Sequence, residues 1–286
     1  MEDFLQIKKT NIYAGLKKDI KLFQISDAHM ACMDEESTEL DEICYRHFHD
    51  NWHRIKREFA EQAGEFCDER YDIEPYIIFE RLAQHAVDIE ADALILSGDI
   101  FDRVSDANLR YMRKFLESYP LPVIYCMGNH DWLTETHEHK NQYDRFFGIV
   151  KNPAIDSFDL GEIEVVTVDN GTKNITEHQL SYLEEKLKGD KRILLVLHAP
   201  LNMGQFGKDI SQKMSPYFLL GVNGDCENAF KFNELVEKYD KNIIAVLAGH
   251  IHSFYEEKIT GRLTQYTTSS ALIGAGREIT IKRGLV

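Results

Sequence analysis

The sequence predicts an α/β fold with two sheets, because short apolar runs alternate with amphipathic stretches along most of the chain. Towards the carboxyl end, further strand-like runs follow one another without long helices between them, which indicates a second, partly antiparallel sheet. The 286 residues, 43% of them hydrophobic, can bury a sizeable core. No linker is evident among only 6 prolines, so we expect residues 1–286 to form a single domain.

Five apolar runs rich in β-branched residues are predicted to be buried strands. They lie at residues 21–26, 93–97, 122–127, 193–197 and 243–248. Each is followed by polar side chains of a kind that can bind ligands. Three later runs are assigned to the second sheet, at residues 162–169, 263–269 and 278–282.

Four amphipathic stretches are predicted to be helices, because their apolar residues recur at intervals of three and four. They lie at residues 75–89, 108–118, 176–188 and 227–239. The third also carries a start signal and a stop signal. Thr176, followed three residues later by Gln179, can form a capping box, and Gly189 can end the helix.

Residues 30–72 interrupt this alternation with a polar, highly charged stretch of helical pattern, and we interpret them as a helical insertion. Within its His47–Phe48–His49 triplet, His49 lies on the same helical face as His53, and such a pair can share a metal ion. No acidic partner is fixed by the spacing. We therefore prefer a solvated helical cap over the functional site, or a surface through which copies of the chain associate.

The charge balance bears on the partners of the protein. Its 33 basic and 48 acidic residues give a formal charge of −15, which disfavours nucleic acids and anionic membranes as partners. An anionic substrate must therefore be attracted locally, and bound divalent cations are the obvious source of positive charge.

The compartment is predicted from the cysteines and the first residues. Five scattered cysteines without a CxxC pair indicate a reducing environment. The start of the chain lacks the basic and apolar regions of a signal peptide, and no run is long enough to span a bilayer. We therefore expect a cytoplasmic protein.

The first predicted strand runs into Asp27–Ala28–His29. Residues two apart on an extended strand end place their side chains on the same face. A carboxylate oxygen and an imidazole nitrogen suit Zn, Mn and Fe. Taken alone, a capping aspartate beside a surface histidine explains this pair equally well.

The second strand ends in Gly98–Asp99, followed by Asp102 and Arg103. The glycine permits close approach of the backbone, so Asp99 can point into a cleft and bridge two cations. A turn followed by a helix N-cap is the alternative.

The third strand ends in Gly128–Asn129–His130–Asp131. The asparagine oxygen is a neutral ligand, the adjacent histidine can reach an incoming phosphate, and the aspartate can orient that imidazole. As a turn this sequence is chemically acceptable, but a turn does not need histidine.

The fourth and fifth strands end in His198 and in the pair His250 and His252. The pair can direct its nitrogens into one cleft only if Ile251 turns away. Five clusters of metal-competent residues thus follow five separate strands, and ligands of α/β sheets gather at the carboxyl ends of strands. A shared site at that rim explains the combination better than five independent structural roles.

The order DxH, GDxxD, GNHD, H, GHxH across residues 27–252 resembles the calcineurin-like metallophosphoesterase superfamily. The resemblance implies a four-layer α/β/β/α sandwich of two mixed sheets with the metals at the strand carboxyl ends. It also implies two divalent or trivalent ions, with Mn, Fe, Zn, Co and Ni all acceptable to such ligands. The first ion would be held by Asp27, His29, Asp99 and His252, and the second by Asp99, Asn129, His198 and His250.

Four further residues receive roles. The resemblance places His130 near the phosphate without binding metal; its imidazole, oriented by Asp102 or Asp131, is the best candidate to protonate the leaving alkoxide. Arg103 resembles an arginine that grips phosphate in the protein-phosphatase branch, although Val104 stands where that branch has glycine.

The resulting prediction is a binuclear metal-dependent phosphoesterase that uses metal-activated hydroxide. A small-molecule or nucleotide phosphodiester is preferred because GNHD with GHxH resembles the diesterase branches. Phosphomonoesters, pyrophosphate-linked nucleotides and phosphoproteins are alternatives. The GDIFDR and GNHD segments also resemble repair nucleases, but the acidic balance disfavours DNA. A non-catalytic scaffold could tolerate missing ligands, whereas here every ligand position is filled.

Overall fold

Two β-sheets pack face to face in the computed structural model of the protein, which describes residues 4–62, 64 and 73–284. The strands are β1 (Gln6–Leu16), β2 (Ile20–Ile25), β3 (Ala93–Leu96), β4 (Val123–Tyr125), β5 (Ile155–Asp159), β6 (Ile163–Val168), β7 (Arg192–Val196), β8 (Ile243–Ala248), β9 (Tyr255–Lys258), β10 (Thr264–Thr267) and β11 (Ala275–Arg283). The helices are α1 (Glu39–His49), α2 (Trp52–Gln62), α3 (Pro75–Asp88), α4 (Asp106–Ser118), α5 (Tyr143–Phe146), α6 (Glu177–Lys188), α7 (Gly204–Lys213) and α8 (Glu227–Lys238).

The first sheet has the strand order β1-β11-β2-β3-β4. Strands β2, β3 and β4 are parallel, and β11 is antiparallel to β2 and parallel to β1. The predicted strand at residues 278–282 exists as part of β11, but its assignment to the second sheet was wrong. Strand composition does not reveal which distant strand is the pairing partner, and β11 pairs with strands more than 250 residues away.

The second sheet has the order β5-β6-β7-β8-β10-β9. Its four inner strands are parallel, and β5 and β9 are antiparallel strands at the two edges. Both sheets are therefore mixed, as expected. The five strands that precede the predicted ligands are divided between the sheets, with β2, β3 and β4 in the first and β7 and β8 in the second.

The hydrophobic core lies in three layers. Leu22 and Ile95 from the first sheet meet Val165, Leu194 and Leu247 from the second in the core between the sheets. The other face of the first sheet is covered by α3 and α4, and the other face of the second by α6, α7 and α8. This confirms the four-layer α/β/β/α sandwich.

The helix boundaries follow local signals. Thr176 and Gln179 form the predicted capping box of α6, and Gly189 is its C-cap. Helix α4 begins two residues before the predicted start because the Ser105 side chain accepts a hydrogen bond from the backbone N–H of Asn108. Within the described ranges, no helix is both long and apolar enough to cross a membrane.

The predicted insertion contains α1 and α2, while residues 63 and 65–72 of it lie outside the described part. Phe48 and Trp52 pack on Leu272, which anchors both helices to the turn before β11. His49 stacks on Tyr45 and His53 on Trp52. Neither histidine belongs to a metal-competent group found among the described residues, so the structure does not support a shared ion there.

Candidate metal centre

The seven predicted ligands lie where the strand ends of both sheets meet. Asp27 and His29 follow β2, Asp99 follows β3, and Asn129 follows β4. From the second sheet, His198 follows β7, and His250 and His252 follow β8. The site is thus built across the sheet-to-sheet junction and not along the rim of one sheet.

The first ligand group consists of Asp27, His29 and His252, whose ligand atoms lie within 4.8 Å of one another. Nε2 of His252 is 3.3 Å from Oδ1 of Asp27. Nε2 of His29 is buried and has no hydrogen-bond partner among the described residues. A buried, unpaired imidazole nitrogen is costly unless something binds it, so this atom fits a metal ligand.

The second group consists of Asp99, His198 and His250, again within 4.8 Å. Nε2 of His198 lies 3.1 Å from Oδ2 of Asp99, 3.0 Å from Oδ1 of Asn129 and 3.1 Å from Nδ1 of His250. Its Nδ1 lies 2.9 Å from the Ser97 carbonyl oxygen, which fixes the ring. Four ligand atoms therefore face one small space, and carboxylate, imidazole and amide donors suit a divalent transition metal.

The backbone at these positions is strained. Five of the seven predicted ligands have a left-handed φ: Asp27 (54°), His29 (45°), Asp99 (53°), His250 (68°) and His252 (48°). The extended geometry from which the DxH and HxH pairs were predicted to share a face is therefore not observed. Instead, the chain turns at each of these five residues, and their side chains point towards the junction.

Close backbone packing explains the glycines that precede three of the ligands. A Cβ atom on Gly98 would lie 2.4 Å from Nδ1 of His198, and one on Gly249 would lie 1.8 Å from Oγ of Ser26. Both distances are far below van der Waals contact, so a side chain at either position would displace a ligand or its support.

The electrostatics keep most of the ligands free of protons. Burial raises the pKa of Asp27, but the hydrogen bond and charge of His252 outweigh it and lower that pKa to about 2. Burial also opposes ionisation of Asp99, yet His198 and His130 hold its pKa well below the usual range. Burial, together with neighbouring histidines, lowers the pKa of His29 to about 4 and of His250 to about 3. Ionised carboxylates and neutral imidazoles are the forms that bind metals.

His198 differs from the other histidine ligands. Burial lowers its pKa, but the charge and hydrogen bond of Asp99 outweigh burial and raise the pKa to about 10. The protonated Nε2 of His198 therefore lies among acceptor atoms that could also bind a metal cation. A metal ion and this proton compete for one position.

His130 lies beside the ligands, with its side chain 27% exposed. Its backbone N–H donates to Oδ1 of Asp99 at 2.7 Å, and its Nδ1 is 2.8 Å from the carbonyl oxygen of Asp102 and 3.6 Å from that residue's Oδ1. His29, Asp102 and His130 form a third group of close ligand atoms, which shares His29 with the first group. The contacts favour Asp102 as the carboxylate that orients His130.

Asp131, the alternative partner of His130, is fully buried and makes different contacts. It accepts hydrogen bonds from the backbone N–H of Gly128 at 2.8 Å and of Asp99 at 3.3 Å, and from the hydroxyl of Tyr125 at 3.2 Å. Burial and the charge of Asp99 raise its pKa to about 7. Asp131 thus joins the loops that follow β3 and β4 and positions Asp99.

Arg103 is only 5% exposed. Its Nη1 donates to the carbonyl oxygen of Glu135 at 3.1 Å, and its Nε lies 3.9 Å from Oδ2 of Asp102. These contacts support a role in holding Asp102. The predicted grip on phosphate stays a prediction.

Sequence reasoning missed three residues at the site. Nδ1 of His47 in α1 lies 3.6 Å from Oδ2 of Asp102. The Phe59 ring in α2 lies 3.8 Å from the His252 ring, and Phe218 lies 5.5 Å from His250, both between ring centroids. The helices of the insertion therefore lie against the predicted metal site, which is one of the two placements that the sequence left open. Of these three residues, only His47 belonged to a pattern noted in the sequence, the histidine triplet. No local pattern identified Phe59 or Phe218.

The comparisons with known proteins agree with this geometry. Residues 20–254 match the family described as calcineurin-like phosphoesterase. The chain is 25% identical over 194 residues to a probable cyclic nucleotide phosphodiesterase of Fibrobacter succinogenes, covering 67% of this chain and 69% of that protein. It is 24% identical over 281 residues to a 3',5'-cyclic adenosine monophosphate phosphodiesterase of Haemophilus influenzae, covering 93% and 82%.

A solved structure shares the fold. The crystal structure of a dimetal phosphatase from Danio rerio superposes with a TM-score of 0.57 at 12% identity, over 93% of this chain and 99% of that one. At this identity the likeness concerns the fold alone.

Proposed function

Since this chain belongs to the calcineurin-like phosphoesterase family, we propose that it hydrolyses a small, nucleotide-derived phosphodiester with the help of two metal ions. The observation that carries the proposal is the pair of ligand groups at the junction of the two sheets. The names of the two relatives, both cyclic nucleotide phosphodiesterases, favour a diester over a monoester.

We assign one ion to Asp27, His29, Asp99 and His252, and the other to Asp99, Asn129, His198 and His250. Each group supplies an ionised carboxylate, and the buried Nε2 of His29, which makes no hydrogen bond with the described residues, is suited to bind the first ion. When bound, paired divalent ions would lower the pKa of water and offset the charge of a bound phosphate. The other steps of the reaction depend on side chains of the protein.

His130 is suited to protonate the leaving oxygen. Burial lowers its pKa, but the charges of Asp99 and Asp102 outweigh burial and raise it above the ordinary value, which favours the protonated ring. The carbonyl oxygen of Asp102 accepts from Nδ1 at 2.8 Å, which leaves Nε2 available to the substrate. A positioned acid of this kind contributes roughly 10²–10⁴-fold to turnover.

The alternatives predict different substrates. A phosphomonoesterase or a nucleotide pyrophosphohydrolase would use the same ligands, so the site alone does not separate them. A non-catalytic scaffold would not need this many buried ionisable side chains at the ligand positions, because removing charged groups from water costs folding free energy.

A comparison of bis-p-nitrophenyl phosphate with p-nitrophenyl phosphate, with and without added Mn²⁺, tests the proposal. We expect metal-dependent hydrolysis with a higher kcat/KM for the diester, followed by cleavage of a cyclic nucleotide. A higher kcat/KM for the monoester would point to a phosphatase. Absence of turnover of either ester at full metal occupancy would support the scaffold.

A further inference from the structure

A cavity of about 500 Å³ opens beside the second ligand group. We name it the side cavity; it is lined by Ile210, Lys213, Met214, Phe218, Ser253 and Tyr255. Its walls come from the carboxyl end of α7, the turn at Pro216–Phe218 and the segment between β8 and β9. Its volume is within the usual range for small-molecule sites.

One wall residue of the side cavity, Phe218, lies against a predicted metal ligand. The Phe218 ring lies 5.5 Å from the His250 ring at an angle of 61°. Ser253, another wall residue, is the neighbour of His252 in the chain. A phosphate held at His250 and His252 would therefore have its ester group close to the cavity.

The walls are predominantly apolar and aromatic. The side chains of Phe218 and Met214 are partly exposed, so they are accessible to a ligand. Tyr255 is held in place, because its hydroxyl donates to Asp209 and its ring meets Phe206 edge to face at 5.3 Å. Rigid aromatic surfaces bind flat rings with little loss of conformational entropy.

One wall residue carries a charge. Nζ of Lys213 lies 4.4 Å from the centroid of the Tyr255 ring, an arrangement typical of a cation–π contact. The remaining wall residues are uncharged. The walls therefore offer an apolar and aromatic surface with one positive charge.

From these contacts we infer that the side cavity binds an aromatic ester group of the substrate, such as a nucleobase, and that Phe218 is the principal residue selecting it. The inference rests on the proposed function, since the aromatic group is that of a phosphate ester bound at the metal site. Stacking on an aromatic side chain commonly changes affinity by about tenfold or more.

Calorimetric titration of the Mn²⁺-supplied protein with phenylphosphonate and ethylphosphonate tests the inference without turnover. Both are anions that cannot be hydrolysed as esters, and they differ in the ring. We expect phenylphosphonate to bind about tenfold more tightly. In Phe218→Ala this preference should fall to about twofold or less, and in Phe218→Leu, which keeps apolar bulk for packing, it should also fall.

Tyr217→Ala is the matched control, because Tyr217 is the neighbouring aromatic residue, is 73% exposed and does not line the side cavity. It should keep the full preference. Equal affinities of the two phosphonates in the unmodified protein, or a preference that survives both Phe218 substitutions, would overturn the inference. Diester hydrolysis is measured separately, so its failure would count against the proposed function and not against the cavity.

Discussion

At the scale of single residues, the backbone at the predicted ligands adopts conformations that a sequence motif does not reveal. A left-handed φ costs a non-glycine residue on the order of 1–3 kcal/mol, and five predicted ligands adopt it. The motifs identified the residue types and their order, and all seven side chains meet. They could not show the backbone turns, because these depend on close contacts such as that of Gly249 with Ser26.

His130→Ala should lower kcat for the diester by roughly 10²–10⁴-fold while both metals remain bound, because His130 supplies a proton and is not assigned as a ligand. Steady-state kinetics with elemental analysis measures both quantities. His139→Ala is the control, since His139 is exposed and lies in the loop that follows. Unchanged turnover at saturating substrate would remove His130 from the mechanism.

Asp99→Ala should abolish turnover and reduce the metal content below two ions per chain, because Asp99 is assigned to both ions. The metal content is measured by elemental analysis after gel filtration. The exposed Asp190→Ala substitution serves as the control and should keep both ions. Two ions retained per chain in Asp99→Ala would refute the bridging assignment.

The affinity of the protein for Mn²⁺ should increase between pH 6.5 and pH 8.5. The pKa of His198 is raised to about 10, so in the metal-free protein a metal must displace its proton, and this becomes easier as the pH rises. The same raised pKa means that the pair of protonated His198 and ionised Asp99 stabilises the metal-free protein. This contribution is fully present below about pH 6.5 and is lost as the pH rises through about 10. Calorimetric titrations at several pH values test the prediction, which a constant or falling affinity would contradict.

At the scale of secondary-structure elements, local signals account for what could be predicted. Helix α6 was predicted by its periodicity, its capping box and its terminal glycine. Strands β1, β5 and β9 and helices α5 and α7 were not predicted. The three strands lie at sheet edges and are partly exposed, so they lack the continuous apolar runs that marked the inner strands.

Thr176→Ala should lower the stability of the protein by about 1 kcal/mol, because it removes the hydrogen bond that the Thr176 side chain accepts from the backbone N–H of Gln179. Denaturant unfolding of the metal-free protein measures the change. Thr172→Ala, at an exposed position of the preceding loop, should change stability by less than about 0.5 kcal/mol. Equal effects of the two substitutions would show that the cap contributes nothing.

At the scale of the whole molecule, the site exists because two sheets end at the same place. The sequence predicted two sheets and a cluster of ligands, but not that β7 and β8 bring three histidines from the second sheet to meet β2, β3 and β4 of the first. Pairing between distant strands decides that arrangement, and no local pattern encodes it. The four layers were predicted from the family resemblance, whereas the junction of the two sheets became evident only in the structure.

The insertion is also understood only at this scale. Its sequence indicated helices, but their contacts with Asp102 and His252 arise from packing against the turn before β11. The insertion and the turn before β11, which are far apart in the sequence, thus form one wall of the site. Association of copies through this insertion stays a prediction.

We propose that seven side chains from five strand ends hold two metal ions. Crystals grown with Mn²⁺ and measured at the manganese absorption edge test it most directly. We predict two anomalous peaks a few ångströms apart, one beside Asp27, His29 and His252, the other beside Asn129, His198 and His250, with Asp99 in contact with both. No peak at this junction under saturating Mn²⁺, or peaks only elsewhere on the protein, would contradict the claim.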